Sequence, residues 1–321
     1  MSSLSITDSG RPPRIVILIP CLNEETTIAK VVGDFKRVLP SAETIVFDNG
    51  STDRTAQFAA QAGAEVITEK RRGKGFVVQA MFQKVEANIY VMVDGDDTYP
   101  AGRLGALLEP VLRGEADMSI GSRTMLESNS EFKLLHRIGN RFFQGVLSWV
   151  FGSHLTDILS GYRCMSRRLV KSLPLFAKGF EIEAEITIKS LQRGFSLVEV
   201  PVDLTSRAEG SYSKIRVLRD GLRILGTIFS LFRDYKPLTF FGSVGLGLVA
   251  TGLVPAAYAF LSDRQVVQAL RFSLEILSLG LVLIGIMFIA VGLILHTVDR
   301  RFQELEHFLR VPDRQFKEDH E

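Results

Sequence analysis

The chain has 321 residues, enough for one large domain or two modest ones, and its formal charge of +2 argues against the broad basic face of a nucleic-acid binder. Apolar residues make up 46% of it, unevenly spread: as far as Pro237 it reads as a charged α/β protein, whereas Leu238 to Leu261 and Ile276 to Val298 carry almost no charge. Two cysteines, Cys21 and Cys164, match no metal spacing and no disulfide framework, so they read as small core residues in a reducing compartment.

Residues 1–13 form a polar, flexible N-terminus without the apolar core of a secretory signal, which places the domain that follows in the cytosol. Arg14 to Pro20 is a continuous apolar run, as expected of a strand buried on both faces of a parallel sheet. Ile28, Val31, Val32, Phe35 and Leu39 then recur at helical spacing until Pro40. The unit repeats: strand Thr44 to Phe47 before helix Thr52 to Ala62, strand Glu65 to Thr68 before helix Gly75 to Val85, strand Ile89 to Val93 before helix Gly102 to Leu112. A fifth strand is predicted at Ala116 to Ile120. Such alternation specifies a doubly wound α/β sheet, whose ligands gather at the carboxyl ends of the strands.

Beyond Arg123 the pattern changes to longer helices (Phe132 to Phe151, Glu181 to Arg193) and one more strand, Leu197 to Val202. Ile215 to Tyr235 is amphipathic, setting Leu218, Leu222, Leu225 and Phe229 against Arg216, Arg219, Arg223 and Arg233, as in a helix lying along a bilayer surface. Leu238 to Leu261 would reach about 36 Å as a helix, enough to cross a hydrocarbon core of about 30 Å, and Phe272 to Val298 is similar. The short connector between them makes the two spans a hairpin, with both chain ends on one side. Arg233, Lys236, Arg300 and Arg301 flank that side against Arg264 and Arg271 in the connector, a modest cytoplasmic bias.

The strand ends carry the chemistry. Asp94-Gly95-Asp96 closes a buried strand, where carboxylates are costly unless a cation answers them, and a hard divalent ion such as Mg2+ or Mn2+ suits an oxygen-only set completed by a pyrophosphate. Asp48-Asn49-Gly50-Ser51-Thr52-Asp53 has the composition of a turn that starts a helix, and its first carboxylate can also accept a base or ribose hydrogen bond. Gly73-Lys74-Gly75, after Lys70, Arg71 and Arg72, offers a backbone-accessible, cationic loop for a diphosphate.

Taken together, P-x-x-N-E-E (Pro20, Asn23, Glu24, Glu25), D-N-G-S-T-D from Asp48, G-K-G from Gly73, D-G-D-D from Asp94 and G-S-R from Gly121 resemble glycosyltransferase family 2, specifically its polyprenyl-phosphate, dolichol-phosphate mannose synthase-like members. D-x-x-S-G-Y-R at Asp157 to Arg163, G-F-E-I-E at Gly179 to Glu183 and R-x-x-G-x-x-S-K at Arg207 to Lys214 extend the likeness, which covers Arg14 to Lys236. The resemblance implies a Rossmann-like GT-A catalytic domain at 14–213, with a nucleotide-sugar half (14–123) and an acceptor half (124–213). An amphipathic juxtamembrane helix (214–236), two transmembrane helices (238–261 and 272–298 within 237–298) and a cytoplasmic tail (299–321) follow.

It further implies that Pro20, Leu22, Glu24, Asp48, Gly50, Lys74 and Asp94 bind the nucleotide sugar and that Asp94 and Asp96 hold Mg2+ or Mn2+. Arg123, Arg137, Ser160, Arg207 and Lys214 would bind the lipid phosphate. Asp94, Asp96, Arg123, Arg207 and Lys214 form the catalytic set, working by direct inverting displacement without a protein base. Asp157 would then orient Arg163 or a nearby turn. Relatives often carry Gln two positions after the second aspartate, where this chain has Thr98. The expected donor is a UDP-sugar, with GDP-mannose as the alternative, and the acceptor an undecaprenyl- or dolichyl-type phosphate. The expected location is the cell membrane, multi-pass, with self-association through the spans. A processive polysaccharide synthase would carry Q-x-x-R-W, but Trp149 follows Gly145-Val146-Leu147-Ser148; a non-catalytic partner would have lost Asp96; a Rossmann oxidoreductase would need G-x-G-x-x-G where P-C-L-N-E-E stands.

Overall fold

The computed structural model describes residues 12–123, 155–205, 226–227, 229–261 and 268–310. It divides into two compact units, Met1–Ile228 and Phe229–Glu321.

The first unit is built on a seven-stranded sheet. In chain order its elements are β1 (Ile15–Cys21), α1 (Ile28–Val38), β2 (Glu43–Asp48), α2 (Thr55–Gln61), β3 (Glu65–Thr68), α3 (Lys74–Lys84), β4 (Ile89–Met92), α4 (Leu104–Leu112) after a single 3-10 turn, β5 (Met118–Arg123), β6 (Arg163–Ser166), α5 (Arg167–Ser172), α6 (Ile182–Gln192) and β7 (Leu197–Val202). The strand order is β3-β2-β1-β4-β6-β5-β7. Val16, Ile17, Leu18 and Ile19 are fully buried in the centre, each contributing about 1.5–3 kcal/mol of burial. The stripe on α1 is the one its spacing predicts: Ile28, Val31, Val32 and Phe35 pack into the core shared with β1 and β4.

The sheet differs from a purely parallel one. β6 inserts between β4 and β5 and runs antiparallel to both, with Met92 opposite Arg163 and Ile120 also opposite Arg163. The remaining pairs are parallel. β6 and α5 were not anticipated, because Arg-Cys-Met-Ser has neither strand alternation nor an apolar run. α2 starts three residues later than expected: the Asp53 carboxylate accepts from the Thr55 amide at 3.0 Å and from the Glu25 amide at 3.2 Å, so D-N-G-S-T-D is used for the rim and the helix start. The predicted helix Phe132 to Phe151 and most of Ile215 to Tyr235 lie outside the described residues; backbone at 229–235 is helical.

The second unit is dominated by two helices, α7 (Pro237–Leu261) and α8 (Gln268–Arg310), packed side by side. Pro237–Tyr258 and Phe272–Phe302 are each long and apolar enough to cross a membrane. Their close approach needs small residues. A Cβ on Gly245 would sit 2.6 Å from the Gly285 carbonyl oxygen, and one on Gly285 would sit 2.7 Å from that of Gly245. Leu246, Leu253, Val254, Leu279, Met287 and Ile294 face outward. α8 runs on past Val298, where the apolar pattern stops, as far as Arg310.

Candidate active site

The ends of β1, β2, β4 and β5 meet at one edge of the sheet, joined by the segment before β6 because β6 is antiparallel. On the β1–β2 side, Pro20 and Leu22 are half-buried and Glu24 is buried, its amide donating to Thr55 Oγ1 at 2.8 Å. Asp48 is buried at the end of β2, and its two oxygens accept from the Ser51 amide, both at 3.2 Å, across a turn in which Gly50 has φ +73°. Thr27 ties this side to the next by donating its hydroxyl to the Gly95 carbonyl at 2.7 Å.

The G-K-G loop works differently from the expectation. The Gly73 amide donates to Asn49 Oδ1 at 2.8 Å and the Gly75 amide to the Lys178 carbonyl at 3.1 Å, so these two N–H groups are used inside the protein rather than offered to a ligand. What the loop delivers is the Lys74 side chain. Its Nζ lies 2.6 Å from Asp94 Oδ1 and 2.6 Å from Glu183 Oε1, at the start of α6. Burial alone would lower the ammonium's pKa, but Asp94 and Glu183 outweigh it and hold Lys74 charged well above the usual lysine range. Glu183 is itself almost fully buried, and burial pushes its carboxyl up against the opposing pull of Lys74.

Asp94 and Asp96 stand just past β4. Asp96 Oδ1 accepts from the Thr98 hydroxyl at 2.6 Å and from its amide at 3.3 Å, so Thr98 orients that carboxylate. Gly161 lies directly against Asp94: any Cβ there would overlap the carboxylate, so the sequence leaves the position bare. Among the described residues no group of three or more His, Cys, Asp or Glu converges on a point. The two aspartates, Asp96 buried and Asp94 partly exposed, are instead an oxygen-only pair at a rim, a donor set that fits a hard cation able to complete its shell with diphosphate oxygens and water.

At the far end of the rim, Arg123 ends β5 and forms a two-pronged ion pair with Asp157, Nε to Oδ2 at 2.6 Å and Nη2 to Oδ1 at 2.7 Å. Asp157 is fixed in turn, its amide donating to Glu199 Oε1 at 2.7 Å. Burial works against the Arg123 charge, but Asp157 first and, to a lesser extent, Tyr99 and Asp94 favour it, so the β4 and β5 ends of the rim feel each other electrostatically.

With that geometry in place, the comparisons decide the family. The family model described as glycosyl transferase family 2 matches residues 16–173. Glycosyltransferase AglJ of Haloferax volcanii is 33% identical over 304 residues, covering 92% of this chain and 99% of that protein. The chain belongs to glycosyltransferase family 2. The dolichyl-phosphate hexose transferase of the same organism is 29% identical over 194 residues, covering 60% of this chain and 84% of that protein. Among solved structures, glucosyl-3-phosphoglycerate synthase from Mycobacterium tuberculosis, in complex with Mn2+, UDP and glucosyl-3-phosphoglycerate, matches with a TM-score of 0.58 and 23% identity, covering 68% of this chain and 80% of that one, a likeness of fold.

For this family 2 transferase, the structure brings Pro20, Leu22, Glu24, Asp48, Gly50, Lys74, Asp94, Asp96 and Arg123 to one rim. Ser160 is close by but fully buried: its hydroxyl donates to the Gly121 carbonyl at 2.6 Å, which makes it a strut of the turn rather than a group presented to a phosphate. Asp157 orients Arg123, not Arg163, whose guanidinium is fully buried and donates to the carbonyls of Ser160 and Ile158 and to Thr187 Oγ1. Arg137, Arg207 and Lys214 lie outside the described residues. Two contributors were missed in the sequence. Tyr99 accepts from the Gly161 amide at 3.1 Å and so holds the backbone that Asp94 rests on. Glu183 belongs to the G-F-E-I-E run at the start of α6, a helix whose buried residues also include Glu185, Thr187 and Lys189, so no local pattern singles it out.

Proposed function

We propose that this transferase moves a sugar from a nucleoside diphosphate sugar to the phosphate of a polyprenyl lipid, with inversion, at the cytoplasmic face of a membrane. The observation that carries the reading is the pairing of Arg123 with Asp157 on the same rim as Asp94 and Asp96: a cation held ready for an anionic acceptor next to carboxylates that suit a metal-bound diphosphate. The relative named a dolichyl-phosphate hexose transferase, and two helices able to span a bilayer, agree with a lipid acceptor.

In this mechanism Glu24 and Asp48 would hold the nucleoside, Asp94 and Asp96 would hold Mg2+ or Mn2+, and Arg123, with Arg207, Lys214 and Arg137, would hold the acceptor phosphate. The bound cation would supply Lewis-acid neutralisation of the leaving diphosphate. A phosphate monoester has a second pKa of about 6, so at neutral pH it already carries an attacking oxyanion and needs no proton removed. The protein's work is then positioning the oxyanion against charge repulsion. Asp157 suits this division of labour, since both its oxygens already accept from Arg123. The donor we favour is a UDP-hexose or UDP-N-acetylhexosamine, in keeping with the UDP complex of the solved relative.

The test is mass spectrometry of polyprenyl phosphate incubated with the full chain and a panel of UDP- and GDP-sugars. A lipid-phosphate monosaccharide from one donor, with inverted anomeric configuration by NMR, is the expected result. Sugar transfer to a water-soluble acceptor alone would remove the lipid from the scheme.

A further inference from the structure

The Lys74 ammonium bridges two carboxylates that belong to different halves of the domain. Asp94 stands at the end of β4 and is partly open, with 26% of its side chain exposed, whereas Glu183 on α6 has 4%. Both distances are 2.6 Å, so the lysine is shared rather than committed. If Asp94 is to take a divalent cation, as proposed above, Lys74 is a competitor already seated on one of its oxygens. A lysine held by Asp94 alone would have to give up its entire counter-charge for a metal to enter. Here it has a second, buried anion to stay with.

We infer that Glu183 is a positioning residue for metal loading: it retains Lys74 so that Asp94 can exchange the ammonium for a divalent cation. This rests on the reading of Asp94 and Asp96 as the metal-holding pair. The surroundings favour the assignment. Glu183 is anchored at the beginning of α6, whose N-terminal turn packs beside the loop 177–181; there the Ala177 and Lys178 carbonyls accept from Gln79 and Gly75 of α3, fixing α3 against α6. The lysine's stem is thereby set between the two acids, with the ring of Phe180 5.8 Å from Nζ. Because Nζ already lies 2.6 Å from Glu183, a swing of the ammonium about that contact would free Asp94 while the lysine keeps a counter-charge, which in a buried site is the arrangement of lower cost.

The inference predicts how neutralising each partner changes metal affinity in the absence of nucleotide. Glu183→Gln keeps the shape but removes the retaining charge, so Lys74 settles on Asp94 and Mn2+ affinity should fall about tenfold. The double variant Lys74→Met with Glu183→Gln deletes competitor and retainer together. Its Mn2+ affinity should return at least to that of the wild type. Mn2+ binding is read by electron paramagnetic resonance on the purified full chain, with thermal melts to confirm folding. Glu183→Gln binding Mn2+ within twofold of wild type would overturn the inference, and so would a double variant that binds as weakly as Glu183→Gln. Asp96→Asn is the control for the underlying reading: if it leaves Mn2+ binding intact, the metal site lies elsewhere, whereas lost binding there together with an indifferent Glu183→Gln rejects the role of Glu183 alone.

Discussion

Asp157 offers both oxygens to Arg123, and this single contact separates two chemistries. A general base must have a free lone pair toward the acceptor, whereas a carboxylate in a two-pronged ion pair orients a cation. The rate at subsaturating acceptor should therefore rise through the acceptor's own second ionisation, near pH 6. Asp157→Asn should lower the rate about tenfold or more by loosening Arg123, yet preserve that rise. Loss of the acidic limb in the variant's pH–rate profile would make Asp157 the base. Tyr162, in the same S-G-Y-R run, poses a contrasting case. Its hydroxyl is buried with no hydrogen-bond partner among the described residues, while its ring packs edge-on against Phe35, with centroids 5.8 Å apart. An unanswered buried hydroxyl costs about 1–3 kcal/mol, so Tyr162→Phe should leave stability unchanged or raise it. Denaturant titration checks this; a loss above about 1 kcal/mol would mean that the hydroxyl has a partner such as an ordered water.

At the scale of elements, the segment from Asp157 into β6 determines how the rim is assembled. Because β6 runs antiparallel between β4 and β5, its entering loop arrives where the parallel strands leave, which brings Ser160 and Gly161 to Asp94. Gly161→Ala would drive a methyl group into the Asp94 carboxylate; activity should drop at least about tenfold, with the melting temperature within a few degrees of wild type, since the clash is relieved at an open rim. A fully active Gly161→Ala would show that Asp94 need not rest there. The same region shows what could be read in the sequence and what could not. β1 was legible because Ile-Val-Ile-Leu-Ile is buried on both faces and has no other use. The positions of the D-G-D and D-N-G-S runs were legible because acids and turn residues after a buried strand mark its end, and here they hold the turns at the rim. β6 was not, because a strand beginning with a buried arginine is stable only through carbonyls and a threonine supplied by other segments, Ser160, Ile158 and Thr187. Glu183 was equally hidden, since its meaning depends on Lys74, a residue from another strand–helix unit. Local pattern reveals burial; it does not reveal which distant partner makes a buried charge tolerable.

For the whole molecule, the question is how the GT-A unit would meet the lipid acceptor proposed for it. Pro237–Tyr258 reaches about 33 Å as a helix and Phe272–Phe302 more, so each can cross a core of about 30 Å, and the close glycine contact of Gly245 with Gly285 joins them as a pair rather than as two independent anchors. A paired hairpin returns the chain to the side from which it entered. On the proposed topology the basic residues before α7 and at the end of the second apolar stretch, Arg233, Lys236, Arg300 and Arg301, would set that side toward the cytoplasm. Tags at the N-terminus and after Glu321 should both be protected in sealed cells, and Ser262→Cys, in the connector between the helices, should react with an impermeant thiol reagent from the opposite face. Cys21 and Cys164 are buried and should contribute little background. Reaction of Ser262→Cys only from the cytoplasmic side, with intact vesicles as the control, would replace the spanning hairpin with one that dips into a single leaflet. The catalytic unit would then be tethered to the membrane without crossing it.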